Sequence, residues 1–123
     1  MCATFFAIRR RAEMLIDFDE IAEVADEHYK GGAGALMIRA FADHAVKVMR
    51  CRLERGCSIG LHTHENSTEV LYALSGTARL LCDGDYEILK AGSCFYCPVG
   101  HSHDLVNIGD EDFVFLTVVS DVK

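Results

Sequence analysis

The chain is predicted to be an all-β sandwich or barrel. Three observations carry that prediction. From Ala35 onward, short apolar or alternating segments are cut by turn-like separators: Ser75-Gly76, Asp83-Gly84-Asp85, Ala91-Gly92, Gly100 and Gly109-Asp110. Only one stretch, Phe18–Tyr29, has helical character. Phe113-Val114-Phe115-Leu116 is apolar on both strand faces, as is most of Ala35–Phe41, which calls for a second sheet or a partner subunit. Many short strands with little helix read as a sandwich or barrel, and the two-sided apolar strands predict an oligomer, most simply a homodimer.

The elements follow in order. Residues 1–13 are expected to be an N-terminal extension or arm, with Met14 as an alternative start, and residues 14–123 a single domain. Near the N-terminus the basic run Arg9–Arg11 follows the apolar residues instead of preceding them, the reverse of a signal peptide. A cytoplasmic location with reduced thiols is therefore expected for the six cysteines. Asp17 is an N-cap candidate with Glu20 three residues on, which predicts a short helix over Phe18–Tyr29, with an extended segment as the alternative. The cluster Gly31-Gly32-Ala33-Gly34 ends it. Strands are then predicted at Leu36–Phe41, Val46–Leu53, Ser58–His64, Glu69–Ser75, Ala78–Cys82, Tyr86–Leu89, Cys94–Cys97, Ser102–Ile108 and Phe113–Val119.

Charge narrows the function classes. Acidic residues outnumber basic ones 19 to 12, for a net charge of −7. Phosphate contacts need clustered Lys and Arg, so no nucleic acid partner is expected. The same balance disfavours docking on an anionic membrane. No apolar run approaches the roughly 20 residues that span a bilayer.

The chemistry lies in the histidines. Four of the six form two pairs, His62-Thr63-His64 and His101-Ser102-His103. Residues two apart in a strand share a face, roughly 6.6–7 Å apart. His62 and His64 can therefore aim at one point, and a hairpin through Glu65–Thr68 would bring Glu69 beside them. Two neutral imidazoles and a carboxylate suit a divalent transition metal, with a later histidine to complete the set. A lone His-x-His can equally be a wetted strand face.

The surrounding spacing resembles the cupin family. Gly56, five residues, His62-x-His64, four residues, Glu69, six residues and Gly76 match its first motif (56–76). Gly92, five residues, Pro98-x-Gly100, two residues, His103, three residues and Asn107 match its second (92–107). All ten fixed positions agree, and the chain's single proline, where average usage would give about six, falls on the motif's proline. The resemblance implies a jelly-roll (double-stranded β-helix) barrel of two antiparallel sheets with at most a short N-terminal helix. It implies one divalent metal per chain (Fe, Mn, Ni or Zn) on His62, His64, Glu69 and His103. Asn107 and the motif glycines read as structural.

Alternation sorts the lining. Leu71 and Ala73 should point inward with Glu69, Ser58 and Gly60 with His62, and His101 and Leu105 with His103. Met49, Cys51 and Leu53 should be inner, Arg50 and Arg52 outer. For Cys94–Cys97 either Cys94 and Tyr96 or Phe95 and Cys97 line the barrel. The two thiols of this Cys-x-x-Cys read as packing residues. His101 and Tyr96 are the candidate catalytic acid/base groups, with Tyr72 behind them. Function then divides two ways. One is a metalloenzyme, of oxygenase or isomerase type, acting on a small metal-chelating metabolite. The other is a non-catalytic cupin that binds or senses a metal or small ligand.

Overall fold

A computed structural model describes residues 14–122 of the chain. Among them the backbone forms ten strands: β1 (Val24–Glu27), β2 (Ala35–Ala42), β3 (Val46–Leu53), β4 (Ser58–Thr63), β5 (Ser67–Ser75), β6 (Thr77–Cys82), β7 (Asp85–Lys90), β8 (Cys94–Cys97), β9 (Ser102–Asn107) and β10 (Phe113–Asp121). They make two antiparallel sheets, ordered β1-β2-β3-β10-β5-β8 and β4-β9-β6-β7. The jelly-roll expectation holds, and all nine predicted strands are present. The extension at residues 1–13 lies outside the described residues.

The predicted helix is the departure. Phe18–Glu20 is a single 3-10 turn, with the Asp17 side chain accepting from Asp19 N at 3.1 Å. The chain then runs extended and pairs as the edge strand β1, Val24 opposite Ile38 and Glu27 opposite Ala35. Arginines on the outer face of the large sheet capture this segment. Arg39 donates to the Ile21 carbonyl at 2.6 Å, Arg50 to Asp19 at 2.6 Å, and Arg52 to both oxygens of Glu23 at 2.8 and 2.9 Å. These tertiary bonds outweigh the weak helical preference of so short a stretch.

The inner faces pack as alternation requires. Met49, Cys51 and Leu53 of β3 meet Phe113 and Phe115 of β10 and Leu71 and Ala73 of β5, all buried. Each large side chain so buried contributes about 1.5–3 kcal/mol. Asn107, also buried, donates to the Leu53 and Glu111 carbonyls at 2.8 and 2.9 Å and accepts from Gly109 N at 2.9 Å. It ties the end of β9 to the turn before β10.

One strand breaks alternation. Three residue steps on β4, Ile59 to His62, face two on β9, Leu105 to His103. This β-bulge re-phases the strand. Ile59 is buried instead of Ser58 and Gly60, and the inward set expected for that strand is corrected accordingly.

Candidate metal centre

Four side chains converge between the sheets: His62 from β4, His64 just beyond it, Glu69 from β5 and His103 from β9. One nitrogen or oxygen of each lies within 4.8 Å of the others. The bulge sets His62 directly opposite His103, with ring centroids 4.5 Å apart. His64 Nε2 and His103 Nε2 are 3.1 Å apart, and they lie 2.8 and 2.9 Å from Glu69 Oε1.

Hydrogen bonds behind the cluster fix its orientation. His62 Nδ1 donates to the Gly60 carbonyl at 2.8 Å, which leaves Nε2 as a lone pair. His64 Nδ1 is bonded to Ser67 Oγ at 3.0 Å. Thr117 Oγ1 donates to Glu69 Oε2. Phe95 packs on the His103 ring, centroids 5.2 Å apart. Such outer partners orient ligands and tune their basicity.

Burial alone would push the Glu69 carboxyl up. Hydrogen bonds from His103, His64 and Thr117 more than offset it and hold the group well below the usual carboxylate range. Burial, with the two neighbouring imidazoles, lowers His62 and favours its neutral, ligating form.

The donor set fits a divalent cation. His103 Nδ1 is buried with no partner. With its proton on Nε2, Nδ1 is a stranded acceptor; with the proton on Nδ1, Nε2 sets a bare lone pair against Glu69 Oε1. A cation among the four groups removes that second conflict. Three imidazoles and a carboxylate are the ligands a first-row transition ion takes.

A cavity of about 220 Å³ opens from the cluster. It is lined by the four residues above and by Tyr29, Lys30, Lys47, Met49, Cys51 and Thr117, among others. Sites for drug-sized ligands run to about 300–1,000 Å³, so this one suits a smaller molecule. Tyr29 and Lys30 arrive on a strap between β1 and β2. Gly32 and Gly60 hold it against β4: a Cβ on Gly32 would lie 2.0 Å from the Ser58 carbonyl oxygen, and one on Gly60 1.9 Å from that of Lys30. Ser58 N donates to the Ala33 carbonyl at 2.9 Å, and Ala33 N to Ser58 Oγ at 2.9 Å.

The structure does not bring His101 or Tyr96 to this cavity. His101 precedes β9, and its Nδ1 donates to Asp83 Oδ2 with both side chains about half exposed. Asp83 sits in the left-handed turn between β6 and β7 and offers a partner that draws the ring outward. Tyr96 is 57% exposed on the outer face, as is Tyr72 in part, because Phe95 and Cys97 take the inner positions of β8. Neither His101 nor Tyr96 is among the described residues that line the cavity. Tyr29 and Thr117 line the cavity unforeseen. Thr117 had a signal, as the polar residue in phase with Phe113 and Phe115; Tyr29, on an aperiodic strap, had none.

The family model for the cupin domain matches residues 49–119. An oxalate-binding protein of Thermotoga maritima is 30% identical over 112 residues, covering 86% of this chain and 93% of its relative. A crystal structure of a predicted oxalate decarboxylase from Thermotoga maritima superposes with a TM-score of 0.84 at 28% identity, covering 89% of this chain and all of that one. The oxalate decarboxylase of Bacillus subtilis is 38% identical over 74 residues, which are 56% of this chain and 19% of that protein.

Proposed function

The chain belongs to the cupin domain family, and from that membership and its cavity we propose that it binds one divalent transition metal and, on it, a small metal-chelating carboxylate. The observation that carries this reading is the convergence of His62, His64, Glu69 and His103 on one point of a small cavity. When bound, the metal supplies Lewis acidity and coordination positions for a chelating ligand. The chain's residues do the rest. Thr117, Gly60 and Ser67 hold the ligating side chains, Phe95 walls off one imidazole, and the strap bounds the mouth. Oxalate is the natural first probe, since it is the ligand in the name of the similar Thermotoga maritima protein.

Binding or sensing is favoured over turnover. An acid/base group must reach the ligand for catalysis. His101 and Tyr96 point away, and among the described residues Tyr29 is the one phenol that lines the cavity. The second reading, a metalloenzyme of oxygenase or isomerase type, rests on that phenol.

Metal content by mass spectrometry on protein purified without chelator or immobilised nickel tests the first step. The expected result is about one equivalent of Fe, Mn, Ni or Zn in the wild type, lost in His64→Ala with the fold retained by circular dichroism. Calorimetric titration of the loaded protein with oxalate tests the second. Saturable binding without consumption of oxalate supports the binder, and consumption supports the enzyme. Neither metal retention nor metal uptake on addition would overturn both.

We also infer a homodimer through the outer face of β10-β5-β8. Support comes from Val70, Tyr72, Leu74 and Tyr96, which stay exposed there. The segment 17–23, by contrast, covers the arginines of β2-β3. Light scattering of the full chain tests it, and a monomer mass at micromolar concentration would refute it. Among the described residues no helix is long and apolar enough to cross a membrane.

A further inference from the structure

The metal cluster accounts for one part of the cavity wall. Another part carries donors that, among the described residues, have no hydrogen-bond or ion-pair partner. Lys47 opposes Val119 across β3-β10, and Val119 opposes Glu69 across β10-β5. Lys47 and Glu69 therefore lie in one row, two strands apart, roughly 9–10 Å between backbones. All three positions are in phase with the buried residues of their strands, and all three line the cavity. Lys47 is half-buried and makes no ion pair among the described residues. Tyr29 lines the same cavity from the strap, and among the described residues its hydroxyl makes no hydrogen bond. The negative field of Glu69 reaches it and, after burial, is the next cause of its raised pKa. Lys30 stands 5.5 Å from the Tyr29 ring at the exposed rim, with Glu65 also lining the cavity.

An ammonium and a phenol are both donors, and a carboxylate presents only acceptors. A half-buried lysine without a counter-ion carries a desolvation cost that an anionic ligand would relieve. We infer that Lys47 and Tyr29 form a second anchoring point in the cavity, which receives the uncoordinated carboxylate oxygens of a ligand held by the metal and so selects small dianions over monoanions. This rests on the metal-chelate reading above. It adds the class of ligand and the residues that discriminate.

The test uses oxalate and glycolate on the metal-loaded full chain. Both chelate through two oxygens, but glycolate carries one negative charge fewer. Calorimetric titration of the wild type should show oxalate bound more tightly. Lys47→Met should weaken oxalate roughly 10- to 100-fold, as for a lost charge-assisted hydrogen bond, and change glycolate by less than about threefold. Lys47→Arg should keep most of the preference, and Tyr29→Phe should lose a smaller part of it. Metal content should stay at the wild-type value in all three variants, which separates anchoring from damage to the metal centre. If Lys47→Met binds oxalate as the wild type does, or loses both acids equally, the inference fails while the metal-chelate reading stands. If the loaded wild type binds neither acid, both fall together.

Discussion

Thr117 donates its hydroxyl to Oε2 of Glu69 and leaves Oε1 to His64 and His103. The two residues sit on neighbouring strands, both buried. This bond fixes which carboxylate oxygen faces the histidines. Thr117→Val keeps the shape and removes the donor. Metal affinity should fall by about 10–100-fold, the usual effect of losing an outer partner of a ligand, with the strand content of the fold unchanged. Competition with a fluorescent chelator measures it.

Asn107 should matter for stability and not for metal. Asn107→Ala strands the Leu53 carbonyl at the end of β3 and the Glu111 carbonyl and Gly109 amide of the turn between β9 and β10. The expected cost is about 2–4 kcal/mol, read from urea unfolding at constant m. Metal stoichiometry should be unaffected.

Acid should loosen the segment that covers the arginines. The Arg52 guanidinium beside Glu23 holds its carboxyl below the ordinary value of 4.5 against an opposing effect of burial. A depressed folded pKa contributes stability that is present above 4.5 and is lost as pH falls through the lower folded value. Glu23→Gln should therefore destabilise by up to about 1 kcal/mol at pH 7. The gap to wild type should close as pH drops below 4.5 and through the lower folded value. Urea midpoints at several pH values check the sign.

Thiol reactivity should sort by strand face. Cys94 is exposed on the outer face of β8, whereas burial pushes the inner Cys97 thiol up to about 11 and Cys51 higher still. Iodoacetamide at pH 8 should modify Cys94 at least about tenfold faster than either. Peptide mapping over time reads the order.

The strands were legible because alternation and glycine turns mark them, and nine of the ten follow from that pattern. The exception is β1, whose four residues are all exposed and carry no apolar period; bonds from Arg50, Arg39 and Arg52 to Asp19, Ile21 and Glu23 just before it bring the chain to the edge of β2, where backbone pairing makes it extended. The four converging residues were legible from spacing, since motif distances survive even where strand phase does not. What spacing could not supply was direction. Asp83 lies 18 residues from His101 and turns it outward. Phe95 wins the inner position of β8 by packing on His103, so Tyr96 faces out.

The bulge in β4 carries a consequence for how such a pocket can change over time. Upstream of it Ile59 shapes the wall; downstream His62 is aimed at its partners. The extra residue puts the two on independent phases of one strand. A change of bulk at Ile59 therefore alters what the pocket admits without re-aiming His62. The size of what the pocket admits can drift while the chemistry of the converging atoms stays fixed, and one barrel can be retuned for ligands of different shape by single substitutions.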